Sequence, residues 1–103
     1  MATPPRKPER TITWEENVQM KLAPYLEEYE KLGELLLAIE YVLERNPEDP
    51  DTIPIGDDFP NCRYITRYPF EELDIPLPKV QLLYEYDEEK VIIWEARVEE
   101  PGH

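Results

Sequence analysis

Apolar residues recur at helical spacing through the first half of the chain and alternate along the second half. Leu22, Leu26, Tyr29, Leu32, Leu36, Ile39 and Leu43 lie three or four apart and form one continuous stripe, with Glu27, Glu28, Glu34 and Glu44 largely off it. Two residues interrupt that stripe. Pro24 lacks an amide donor and suits the first turn of a helix or a kink, and Gly33 suits a break between two helices. A hairpin of helices, roughly Glu15–Tyr29 and Glu34–Arg45, is the favoured expectation, and one kinked helix from Pro24 to Arg45 is the alternative. Asn46-Pro47 closes the section, because a residue before proline resists helical geometry. Upstream, Thr11-Ile12-Thr13 reads as a short strand, and Thr13-Trp14-Glu15-Glu16 has the spacing of a capping box.

The second half reads as a sheet. Glu48–Asn61 is a linker rich in Pro, Asp and Gly. Arg63–Tyr68 alternates, which places Tyr64 and Thr66 on one side and Arg63, Ile65 and Arg67 on the other. Pro69–Pro78 is expected to be a loop with Leu73, Ile75 and Leu77 tucked beneath it. Val80–Tyr86 and Val91–Val98 form a hairpin turned at Asp87-Glu88-Glu89-Lys90. On its second strand the face Ile92, Trp94, Ala96 and Val98 is expected to pack on the helices, leaving Val91, Ile93, Glu95 and Arg97 on the other. The fold class is therefore α+β: an N-terminal strand and a helical hairpin packed on a twisted antiparallel sheet of about four strands. Residues 1–10, with Pro4, Pro5 and Pro8 among charges, read as a flexible tail, 11–99 as one domain and 100–103 as a C-terminal tail.

Composition narrows the function classes. The 103 residues, 41% of them hydrophobic, suit one core. The longest apolar run, Leu35–Ile39, is far short of the ~20 residues a membrane span needs. No signal peptide is recognisable, and the single Cys62 allows no internal disulfide, so a cytoplasmic location and no membrane partner are expected.

Net charge is −13. Of the 11 basic residues, Arg6, Lys7 and Arg10 lie in the first ten positions, leaving 8 against 23 acids from Thr11 onward. Such a body repels phosphate, so direct binding of free nucleic acid is not expected. The charge has two readings: plain solubility, or a basic partner such as a protein that normally holds nucleic acid.

Candidate chemistry is sparse. Arg63 and Arg67 share a strand face, and Arg97 joining them across the sheet would make a three-guanidinium phosphate clamp. The competing reading pairs them with Glu85, Glu95 and neighbouring acids. Glu85 and Glu95 would serve as an acid/base pair only with one buried. Cys62 has no second cysteine, and the only histidine, His103, is terminal, so neither a metal site nor a Cys–His nucleophile is expected, and no cofactor is implied. The acids cluster as Glu48-Asp49-Asp51-Asp57-Asp58 and as Asp87-Glu88-Glu89 without the ligand spacing of a calcium loop. Seven tyrosines beside acids suit a surface for a basic protein, with Tyr84, Tyr86 and Glu95 as binding candidates; the plainer reading places them at the rim of a core.

A strand, a helical section ending in "LERNPEDP", a proline-rich link, then "CRYITRY" and "KVQLLYEYDEEKVIIWEARV" resembles the RelE/ParE superfamily of toxin–antitoxin toxins over about Thr11–Val98. That resemblance implies two helices against a twisted antiparallel sheet. It also implies a toxin neutralised by a cognate antitoxin, acting on translation by ribosome-dependent mRNA cleavage or on DNA gyrase. Arg63, Arg67 and Arg97 match the family's sheet arginines and are the catalytic candidates it implies. The family's terminal Tyr or His has no clear match, since His103 follows Pro101-Gly102, and only Lys79 stands near where some members carry a Lys-rich segment. The alternative from charge is a non-enzymatic acidic module that engages a basic or nucleic-acid-binding protein.

Overall fold

The computed structural model describes residues 9–67 and 77–100. Its elements run β1 (Thr11–Trp14), α1 (Glu16–Glu28), α2 (Leu32–Arg45), β2 (Thr52–Pro54), β3 (Cys62–Arg67), β4 (Lys79–Tyr86) and β5 (Lys90–Glu99). The fold is α+β, with two helices on a five-stranded sheet of order β1-β5-β4-β3-β2. The sheet is mixed: β1 runs parallel to β5 and every other pair is antiparallel.

The helical hairpin forms as the stripe predicts. Leu32, Leu35, Leu36, Ile39 and Leu43 of α2 are buried, as are Val18 and Leu22 of α1. α1 lies against β5 and α2 lies across β1 and β5. Gly33 sits in the first turn of α2, not between the helices, and Pro24 is kept inside α1 on its exposed side. The predicted capping box does not form. Thr13 belongs to β1, opposite Ile92, and the cap position falls to Glu15, which makes no side-chain cap bond. Glu15 instead extends the sheet, its amide donating to the Ile93 carbonyl at 3.1 Å.

Beyond the parallel β1, which makes the sheet mixed and five-stranded where about four antiparallel strands are expected, two features depart from expectation. The first is β2, three residues inside the supposed linker, paired with β3 through Thr52–Ile65 and Pro54–Arg63. Its proline is tolerated because β2 is an edge strand. The second is a bulge in β5. Tyr84 stands opposite Ile93 and Leu83 opposite Glu95, so Trp94 is the extra residue. The bulge reverses the parity of β5 part-way along: Val91 and Ile93 face the core before it, Ala96 and half-buried Val98 after it. The expected core face of Ile92 and Trp94 is therefore wrong for the strand's first half and right for its second.

Of the expected N-terminal tail, the described part is tied down. Arg10 donates its amide to the Glu44 carbonyl at 3.1 Å, and Glu9 pairs with Arg45 at 3.1 Å. Leu77 is buried as expected, while Tyr68, Leu73, Ile75 and His103 lie outside the described residues. No described helix is long and apolar enough to cross a membrane.

Candidate functional site

Strand register separates the three arginines. Arg63 and Arg67 flank buried Ile65 on the helix-facing side of β3. Arg97 stands opposite Gln81, which stands opposite Thr66, so Arg97 is exposed on the other face. The two that share a face are already bonded. Arg63 donates from Nε to Thr52 Oγ1 (2.8 Å) and from Nη2 to the Thr52 carbonyl (3.0 Å), stitching β2 to β3. Arg67 pairs with Asp51 at 3.2 Å. A clamp of three guanidiniums on one phosphate is not assembled, because the Trp94 bulge and the register set Arg97 outward.

The tyrosines and glutamate take structural places. Tyr84 is fully buried and donates its hydroxyl to the Pro47 carbonyl, pinning the α2–β2 connection to the sheet. Burial pushes its pKa up from 10.0 to about 12, against a smaller lowering by the Thr52 hydroxyl and Arg63. A side chain so enclosed offers no surface to a partner. Tyr86 is half-buried, its ring 6.2 Å from that of Tyr84, and donates to Glu48 Oε1 at 2.6 Å. Burial, then that bond to Glu48, raises its pKa. Glu95 lies beside α1, paired with Lys21 at 3.3 Å and accepting from the Ala96 amide at 3.0 Å. Glu85 and Glu95 are not cross-strand neighbours, since Glu85 stands opposite Ile92 and Glu95 opposite Leu83. Burial, then Glu85, raises the Cys62 thiol pKa, which disfavours a thiolate nucleophile.

The most concentrated chemistry is at one end of the sheet, where the structure joins two acid clusters that are far apart in sequence. Because β3 begins opposite the end of β4, the β2–β3 connection (Asp57, Asp58) and the β4–β5 turn (Asp87, Glu88, Glu89) emerge side by side. The Tyr86 amide bonds the Asn61 carbonyl at 3.0 Å, and the Tyr86 hydroxyl brings in Glu48. Asp87 Oδ1 accepts from the amides of Glu89 (2.7 Å) and Lys90 (2.9 Å), and these two bonds hold its carboxyl below the usual range and so ionised. A hollow of about 300 Å³ opens here, lined by Asn61, Glu85, Tyr86, Asp87, Lys90 and Ile92. Phe59 and Ile53, 56% and 49% exposed, add apolar surface on the same β2–β3 unit. Both acid clusters are legible in the sequence, but their adjacency is set by the pairing of β3 with β4.

Two cations share the acidic end, Lys90 in the hollow and Arg10 at Asp87. Arg97 is exposed on the outer face, and most of the other cations are engaged. Lys21, Lys31, Arg45, Arg67 and Lys79 each stand within ion-pair distance of a carboxylate, and Arg10 donates to the Asp87 carbonyl at 2.7 Å. Among the described residues no group of three or more His, Cys, Asp or Glu is arranged to hold a metal ion. Compared with models of known families, with curated proteins and with solved structures, the chain matches none.

Proposed function

We propose that the chain is a non-enzymatic acidic binding module that engages a basic protein, one whose Arg/Lys-rich surface otherwise holds nucleic acid. The observation that carries this reading is the convergence of Asp57, Asp58, Asp87, Glu88, Glu89 and Glu48 at one end of the sheet beside exposed Phe59. Carboxylates gathered in this way steer a cationic surface and compete with phosphates for it. Aromatic and aliphatic groups at the same end supply the desolvated contact that charge alone lacks.

The test is a calorimetric titration with an arginine-rich peptide at low and high salt, followed by competition against duplex DNA. Changing Asp57 and Asp58 to Asn and Glu88 and Glu89 to Gln removes four exposed charges. At about 0.3–0.5 kcal/mol each, the loss is roughly tenfold in affinity at low salt. Binding that ignores both salt and the fourfold substitution would remove this reading.

A second reading, a RelE/ParE-like toxin acting on translation or gyrase, draws support from the element order, a helical hairpin between the first strand and the sheet. It requires work from Arg63, Arg67 and Arg97, which do not share a face. Expression without a partner is then expected to arrest growth, and Arg67→Ala to relieve the arrest; growth at the normal rate ends this reading.

A further inference from the structure

Between α1 and α2 lies an apolar groove of about 440 Å³, lined by Trp14, Leu22, Leu26, Leu36 and Leu37 with Glu40 at one end. Leu37 is 64% exposed and Leu26 40%, so the helices leave much of the groove open. The stretch of α2 along it, Gly33 to Glu40, spans roughly 10 Å, or two helical turns. Gly33 leaves the wall low, since a Cβ there would meet nothing closer than Leu26 Cδ2 at 4.0 Å.

Among the described residues, the one charged side chain that lines the groove is an acid. Glu40 is half-buried and accepts a hydrogen bond from the Trp14 indole; among the described ion pairs no cation meets it. The helices and their connection carry Glu16, Glu27, Glu28, Glu30, Glu34 and Glu44 besides. Their three cations are already paired, Lys21 with Glu95, Lys31 with Glu34 and Arg45 with Glu9 and Glu44. A second copy of the chain would bring another −13 to this surface, so like charge opposes self-association there.

The geometry points to a second docking site: the groove seats an amphipathic helix of a partner protein, with apolar side chains at i, i+3 and i+7 against Leu26 and Leu37 over the floor formed by Leu22 and Leu36, and a Lys or Arg reaching Glu40. This goes beyond the acidic-end reading and stands on a different surface.

The probe is a fluorescent Leu/Lys amphipathic helical peptide, compared with its Leu/Glu counterpart by anisotropy, with Trp14 emission as a second readout. The Lys peptide is expected to bind and to shift Trp14 emission, and the Glu peptide to bind at least tenfold more weakly. Gly33→Phe, which fills the groove, is expected to lower Lys-peptide affinity tenfold or more. Leu37→Ser, at a largely exposed position, lowers it severalfold, as does Glu40→Gln. Substituting the four acids of the sheet end leaves the Gly33→Phe effect in place, so the two surfaces fail or survive separately. Equal binding to wild type and Gly33→Phe, equal binding of both peptides, or no binding of the Lys peptide overturns the site. So does a dimer that Gly33→Phe dissolves, which would make a second copy the occupant, or peptide binding that appears only after residues 1–8 are deleted, which would make the chain's own tail the occupant.

Discussion

Alkaline pH is expected to destabilise this protein through Tyr84, and Tyr84→Phe isolates the effect. The ring is 0% exposed, and its hydroxyl donates to the Pro47 carbonyl. Ionisation would leave a buried phenolate facing that carbonyl with no proton to give. The folded pKa stands at about 12 against 10.0 for the free side chain. Above pH 10 the unfolded chain therefore releases this proton while the folded chain keeps it, and stability falls as pH rises until the folded group titrates as well. Two units correspond to about 2–3 kcal/mol, a sizeable part of the ~5–15 kcal/mol that holds a domain of this size.

The assay is urea unfolding followed by circular dichroism at several pH values from neutral to about 12, on wild type and Tyr84→Phe. At neutral pH the variant is expected to be about 1–2 kcal/mol less stable, because the Pro47 carbonyl loses its main donor. The wild type then loses about 2–3 kcal/mol more than the variant across the alkaline window, so the two curves approach or cross. Curves that stay parallel through the alkaline range would refute the burial argument.

Arg63→Ala is expected to cost about 1–3 kcal/mol in urea unfolding, since it removes both bonds to Thr52 that fasten β2. Arg67→Ala, which loses only an ion pair with largely exposed Asp51, is expected to cost under about 0.5 kcal/mol. Asp87→Asn is expected to remove an acid sensitivity of the β4–β5 turn. The folded carboxyl is depressed by the Glu89 and Lys90 amides, so its stabilisation is present above the ordinary carboxylate range and lost as pH falls through the lower folded value. Amide exchange at Glu89 and Lys90 reads this directly.

Sequence pattern carried the local elements and failed where pairing partners decide the outcome. The α2 stripe is legible because Leu32, Leu36, Ile39 and Leu43 obey one period on one element. β2 was hidden because Thr52-Ile53-Pro54 is too short to show a period and sits among acids and prolines; only β3 makes it a strand. Parity alone places Arg63 and Arg67 together. It also sets Arg97 on the face away from the helices, where it stands, but it does not show that buried Ile65 turns Arg63 and Arg67 toward the helices, so that Arg97 cannot join them; the extra residue Trp94 misleads it only over Ile92 and Trp94. Thr13 has the right neighbours for a helix cap but is claimed by the parallel ladder with Ile92. The acidic end was invisible for the same reason as β2: two solvated loops about thirty residues apart become one surface only when β3 and β4 are laid in register.

The parallel ladder between β1 and β5 joins Thr11 to Lys90, positions about 80 residues apart. A chain emerging from the ribosome N-terminus first therefore completes both helices long before the strand that covers them exists. Until β5 arrives, Val18, Leu22, Ile39 and Leu43 have no sheet to lie on. The interval before release is when this protein is most open to aggregation and to chaperones. A truncation that ends before Lys90 should accumulate as insoluble material however well its helices form.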